Sequence, residues 1–163
     1  MFPDDIQTLA EAVIAAAIRR GATLATAESC TGGLVAAALT AVAGSSAVVD
    51  RGFVTYSNAA KTDLLGVPAD LITLHGAVSE PVARAMAEGA LARAGVDLTV
   101  SVTGVAGPGG GSADKPVGLV HFAAADAAGV MHAMHRFGDI GREAVRLASV
   151  RVALGLLLRR LEA

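Results

Sequence analysis

Residues 22–33 read Ala22-Thr23-Leu24-Ala25-Thr26-Ala27-Glu28-Ser29-Cys30-Thr31-Gly32-Gly33, and here a strand pattern gives way to a helical one. The strand covers 22–28. A helix follows from about residue 31 to 43 and stops at Gly44. Ser29 therefore falls on a tight strand-to-helix turn, beside backbone N–H groups that a helix start leaves without partners. Such a turn suits a nucleophile or an anion. It equally suits a plain N-cap, in which the hydroxyl only satisfies an orphan N–H. The turn by itself leaves both readings open.

The flanking sequence supplies the frame. Residues 4–20 carry Ile6, Leu9, Val13, Ala16 and Ala17 at helical spacing, and Gly21 ends that helix. Residues 47–56 are rich in strand formers. Ser57 or Asn58 can cap a short helix through Leu65, with Gly66 just past its end and Pro68 beyond. Ser79-Glu80-Pro81 opens a helix over 79–94. A strand covers 97–103, a Gly/Pro loop 104–116, and two strands follow at 117–126 and 129–137, joined at Ala127-Ala128-Gly129. A last helix runs from about 139 to 161. Helices alternating with strands predict an α/β fold: one domain over 1–163, a layered α/β/α sandwich with a mixed, mostly parallel sheet.

Composition removes several classes of function. The chain is 53% apolar but has no apolar run near ~18 residues, so no membrane span is expected. Small-residue helices over a buried sheet account for the apolarity, and part of it suits a subunit interface. A homo-oligomer, with a dimer favoured, is the expectation. Net charge is −2, no basic run occurs, and Tyr56 is the single tyrosine in a chain without tryptophan. Nucleic acid is a poor partner for such a surface. One cysteine, Cys30, excludes an internal disulfide and disfavours a cysteine metal site. The acidic N-terminus has no basic leader pattern, so a cytoplasmic protein is expected.

Two predicted strands end in similar turns. The first runs into Thr31-Gly32-Gly33. The second runs into Thr103-Gly104-Val105-Ala106-Gly107-Pro108 and three further glycines. If those strands are parallel, both turns lie at the carboxyl edge of the sheet, where open α/β sheets bind ligands. A phosphate or a developing oxyanion fits glycine-rich backbone there. The second loop is neither a Walker A motif nor G-x-G-x-x-G, and a plain surface loop remains the alternative.

Lysine usage singles out Lys61. The chain has 11 arginines and two lysines, Lys61 and Lys115. Lysine, unlike arginine, can lose its proton when buried, which a general base requires. Lys115 sits in a polar loop beside Asp114, where a solvated charge explains it. Tyr56 could orient Lys61 or relay a proton, or simply hold its hydroxyl at a strand rim. Cys30 reads as a small buried filler. His132 and His135 lie three apart on a predicted strand and face opposite sides, while His75 and His121 look isolated. No metal or cofactor is expected.

Four ordered motifs carry a family resemblance: Ala27 through Gly33; Gly52-Phe53-Val54-Thr55-Tyr56-Ser57-Asn58 with Lys61; His75-Gly76-Ala77-Val78-Ser79-Glu80; and Thr103-Gly104 through Pro108 to Lys115-Pro116-Val117-Gly118. The chain resembles the stand-alone form of the CinA C-terminal domain family, the nicotinamide-mononucleotide deamidases, over nearly its whole length. The resemblance implies hydrolysis of nicotinamide mononucleotide to nicotinate mononucleotide and ammonia in pyridine-nucleotide recycling. It assigns Ser29 as nucleophile, Lys61 as base and Tyr56 as assistant. It implies substrate contacts at Cys30, Thr31, Gly32, Gly33, Asn58, Thr103, Gly104, Ala106 and Gly107. Such proteins often read Gly-Asp-Arg before the last helix, whereas this chain reads Gly138-Asp139-Ile140-Gly141-Arg142. The arginine role goes to Arg142, with Arg136 and Arg146 as alternatives. Larger CinA proteins add an N-terminal nucleotide-processing domain, whose activity is not expected here. A non-catalytic nucleotide- or partner-binding module using the same glycine-rich edge is the competing reading.

Overall fold

The computed structural model describes all residues from Met1 to Ala163. Its elements are α1 (Asp4–Arg20), β1 (Leu24–Glu28), α2 (Leu34–Thr40), a 3₁₀ turn (Ser45–Ala47), β2 (Val49–Val54), α3 (Asn58–Leu65), α4 (Ala69–His75), α5 (Glu80–Ala94), β3 (Leu98–Gly104), β4 (Leu119–Asp126), β5 (Gly129–Arg136) and α6 (Arg142–Glu162). One sheet holds all five strands in the order β2-β1-β3-β4-β5. The pairs β1/β2 and β1/β3 are parallel, and β3/β4 and β4/β5 are antiparallel. Four strands thus share one direction and only β4 opposes them, as the hairpin at Ala127-Ala128 requires. The expected α/β/α sandwich is present, with a pairing pattern evenly split between parallel and antiparallel.

The two faces are packed differently. Helices α1, α2 and α6 cover one face and enclose the main apolar core of 28 buried residues, including Ile6, Leu24, Val100, Phe122 and Leu154. Helix α5, with α3 and α4 outside it, covers the other face over two smaller clusters. On that side the sheet presents hydroxyls. Thr99 Oγ1 and Ser101 Oγ donate to the α5 carbonyls of Ala87 and Ala83 at 2.7 and 2.6 Å. The hydrogen bonds replace the depth of side-chain packing that the α1/α6 side has, and they hold α5 close. Gly89 brings α3 close too, because a Cβ there would stand 1.9 Å from the carbonyl oxygen of Leu65 at the end of α3.

Boundaries moved where glycine takes positive φ. Helix α2 begins at Leu34 rather than 31, because Gly32 and Gly33 (φ 58° and 101°) extend the turn. Helix α6 begins at Arg142, after Gly138 and Gly141 at φ 81° and 100°. Helix α4 has no signature in the sequence: seven residues with a single buried apolar position, Ile72, give no clear period. Ser57, not Asn58, caps α3, its Oγ accepting from the Ala60 N–H at 3.0 Å. No helix is long and apolar enough to cross a membrane.

Candidate active site

Side chains alternate along a strand, so neighbours at the end of β1 face opposite ways. Ala27 packs into the α5-side cluster. Glu28 turns under α2, where the N–H groups of Val35 and Ala36 donate to it. Ser29 turns back toward α3. Its N–H bonds to Val102 O of β3 at 2.9 Å, which ties the turn to the sheet centre. Beside it, Thr55 N–H bonds to Glu28 O at 2.8 Å, which fixes the chain leading into α3. The end of the parallel pair β1/β2 thereby sets Ser29 and Lys61 against each other.

Lys61 is fully buried. Its Nζ lies 3.0 Å from Ser29 Oγ and donates to Thr55 O at 2.9 Å. No carboxylate pairs with it; the ion pairs of this chain all lie elsewhere. Burial without a countercharge disfavours the ammonium, so the Lys61 pKa falls below that of an ordinary lysine. Once neutral, the amine accepts from the Ser29 hydroxyl across the same 3.0 Å. Cys30, next in the chain, behaves in the opposite sense: burial pushes its thiol up to about 12, so it stays protonated and is no rival nucleophile.

Ser29 and Lys61 lie at a cavity of about 290 Å³. Cys30, Tyr56, Asn58, Thr103, Gly104, Ala106, Gly107 and Arg142 line it too, so ten of the residues singled out in the sequence converge there. Thr31, Gly32 and Gly33 do not line it. Thr31 Oγ1 donates to Glu28 at 2.7 Å, and the Gly32 N–H turns back to Ser29 O at 3.0 Å. The backbone N–H groups of Cys30 and Thr31 take no backbone acceptor.

Tyr56 is exposed at the mouth, and its hydroxyl bonds to Arg142, not to Lys61. Arg142 Nη2 donates to Tyr56 Oη at 2.9 Å, and Nη1 donates to Gly107 O at 2.7 Å. One guanidinium thus links the glycine loop to the tyrosine across the opening. The three arginines separate cleanly. Arg142 lines the cavity, Arg136 lines a neighbouring hollow on the far side of the glycine loop, and Arg146 donates to the carbonyls of Cys30 and Thr31.

Two polar readings from the sequence need correcting. Lys115 is not merely a solvated charge: it is half-buried and donates to His75 O, which pins the glycine loop to the 75–79 wall. Ala77 and Val78 of that wall line the cavity, and Thr103 Oγ1 donates to Ala77 O at 2.9 Å. His121 is not isolated. Strands β4 and β5 bring its Nδ1 to 2.9 Å from His132 Nε2, with Glu80 beyond. Burial, then the neighbouring His132 charge, lowers His121 to about 4, so it is neutral at pH 7. His135 does lie on the other face, stacked on Phe137 and edge-on to Phe122.

The family model of the CinA C-terminal domain matches residues 6–161. The chain belongs to this family. It is 56% identical over 155 residues to a CinA-like protein of Parasynechococcus marenigrum and 58% identical over 146 residues to one of Mycolicibacterium gilvum. These alignments take in 94% and 90% of this chain but only 37% and 35% of the relatives, so the chain spans about a third of their length. The crystal structure of the competence/damage inducible protein CihA from Agrobacterium tumefaciens superposes with a TM-score of 0.97 at 56% identity, covering 100% of this chain and 99% of that one. A CinA superfamily protein from Escherichia coli superposes at 0.91 with 38% identity, over 98% and 94% of the two chains. The superposition on the Agrobacterium protein extends over the whole of this chain.

Proposed function

We propose that this CinA-family protein is an amidohydrolase that converts nicotinamide mononucleotide and water to nicotinate mononucleotide and ammonia, through Ser29 and Lys61. The observation that carries the reading is the 3.0 Å contact between Ser29 Oγ and a buried lysine without a countercharge. A binding module needs neither the contact nor the buried charge, which is expensive to keep.

The neutral Lys61 amine takes the Ser29 proton as Oγ attacks the carboxamide carbon. The carbonyl oxygen becomes an oxyanion, for which the Cys30 N–H, at the cavity wall and without a backbone acceptor, is the donor; one such donor contributes about 3 kcal/mol. The Lys61 ammonium then protonates the departing nitrogen, and ammonia leaves an acyl ester on Ser29. Water attacks that ester and gives its proton to Lys61. Collapse releases the carboxylate and returns the proton to Oγ. No group other than the dyad exchanges protons, and the sum is amide plus water to acid plus ammonia.

At the mouth, Arg142 supplies a fixed positive charge beside the backbone of Gly107, Gly109 and Gly110, which suits the substrate phosphate. Tyr56 assists by holding that guanidinium. The test is ammonia release from nicotinamide mononucleotide by the wild type and by Ser29→Ala. Turnover by the wild type and none by the variant supports the reading; a folded, inactive wild type refutes it.

A further inference from the structure

Glu28 has no solvent exposure and no cationic partner, and it sits in a strand whose five residues are all buried. Hydrogen-bond donors surround it instead. Thr31 Oγ1 and the Val35 N–H donate to Oε1 at 2.7 and 2.9 Å, and the Ala36 N–H and Thr26 Oγ1 donate to Oε2 at 3.0 and 3.3 Å. Val35 and Ala36 belong to the first turn of α2, whose cap residue Gly33 has no side chain to accept them. A carboxylate from the strand therefore closes the helix end and meets its partial positive charge. Gly52 of β2 makes the room, since a Cβ there would come within 2.8 Å of Thr26 Oγ1 and 3.0 Å of Ala36 Cβ.

The other side of the turn is held as well. Arg146, from α6, donates to Cys30 O at 3.2 Å and to Thr31 O at 3.1 Å. A planar trans peptide points its N–H opposite to its carbonyl. Holding Cys30 O toward α6 therefore aims the Thr31 N–H away from it.

We propose that Glu28, with Arg146 as the opposing jaw, is a positioning residue that fixes Ser29 Oγ against Lys61 Nζ. This rests on the Ser29–Lys61 reading above. Neither side chain touches the reacting atoms. Four donors on two oxygens demand a group that only accepts. Glutamine would turn its NH₂ toward the N–H of Val35 or Ala36, donor against donor, and α2 would back away from the sheet. The turn that carries Ser29 would move with it.

The experiment compares Glu28→Gln with the wild type by steady-state ammonia release and by the labelling rate of Ser29 with a fluorophosphonate, which needs no natural substrate. A displacement near 1 Å costs on the order of 10²-fold in rate, so kcat should fall about 10- to 100-fold. KM should stay within about twofold. The acid limb of the pH–rate profile should not move, because Glu28 and Lys61 lie on opposite faces of β1. Labelling should slow by a factor similar to the loss in kcat. A purely structural Glu28 would lower Tm and leave kcat per folded molecule and labelling unchanged, and that result overturns the proposal. So does a raised KM at unchanged kcat, or a displaced acid limb. If Glu28→Gln does not fold, Arg146→Gln loosens the same turn from the other side. It should slow labelling at least tenfold, and an unchanged rate overturns the proposal. A wild type that is labelled but releases no ammonia refutes the proposed substrate, while the labelling comparison still decides Glu28. A wild type that is not labelled refutes both.

Discussion

The two Thr-Gly turns at the carboxyl edge look alike in sequence and do different work. In the first, Thr31 Oγ1 points back to Glu28, Gly32 N–H closes on Ser29 O, and none of Thr31, Gly32 and Gly33 reaches the cavity. In the second, Thr103, Gly104, Ala106 and Gly107 are wall, with Thr103 Oγ1 tied to Ala77 O. The difference follows from what comes next in the chain. A helix must start after the first turn, and its unpaired N–H groups draw the local acceptors to themselves. After the second, an antiparallel strand must return, so the backbone between is free to line a hollow. A repeated motif therefore reports a shared position in the sheet and not a shared role.

Substitutions in the two turns and around the dyad should have graded effects. Ser29→Ala, at the head of the first turn, should lower kcat by about 10⁴-fold or more with Tm unchanged, measured as ammonia release and thermal unfolding. Activity near wild type would move the chemistry away from this turn. Lys61→Met should remove at least about 10³-fold of activity without loss of stability, because it removes a buried charge and keeps the volume. The pH dependence has a definite sign. The folded pKa of Lys61 is depressed, so above it and below 10.5 the unfolded chain binds a proton that the folded chain does not. Wild-type stability therefore rises with pH through that window, and the Met variant's advantage at neutral pH shrinks as pH approaches the ordinary lysine value. Denaturant melts at several pH values check this; a gap that widens with pH contradicts the buried, depressed amine. The acid limb of kcat/KM should likewise fall below 10.5.

Gly104→Ala probes the second turn. A Cβ would lie 2.6 Å from Val120 Cγ2 and 2.9 Å from Leu119 O, so stability should fall by about 1–3 kcal/mol in denaturant melts, with a shifted cavity wall. Arg142→Ala should raise KM for nicotinamide mononucleotide about tenfold and leave the phosphate-free riboside unaffected, because one charge-assisted contact is lost. Equal effects on both substrates would place the phosphate elsewhere. Gly32→Ala should be the mildest. Its Cβ meets only Arg146 Nη2 at 3.4 Å, so the expected loss is about 1 kcal/mol for φ 58° and little change in kcat. A large fall in kcat would mean that Thr31-Gly32-Gly33 reaches the substrate after all.

Local composition misleads where a side chain's partner is distant in sequence. Lys115 looked solvated because its neighbours in sequence are polar, yet its acceptor, His75 O, lies 40 residues away. His121 looked isolated because β5 brings His132 to it only through sheet pairing. Glu28 went unread as a site residue, although the sequence held a signal. A glutamate ending a strand of Leu24, Ala25, Thr26 and Ala27 faces either a partner or a large desolvation penalty. Helix α4 offered no comparable signal, since its existence depends on packing Ile72 under α5.

The order of the elements, the glycine stops that bound most of them, and the kinds of chemistry available are all legible along the chain. Those properties are local: periodicity, capping and side-chain type act over a few residues. Tertiary structure alone decided that Ser29 and Lys61, 32 residues apart, meet at 3.0 Å. It also decided that Lys61 is stripped of solvent and countercharge, and which arginine stands at the mouth. Distance, burial and countercharge belong to the packed sheet and its covering helices, and no stretch of chain carries them before the layers close.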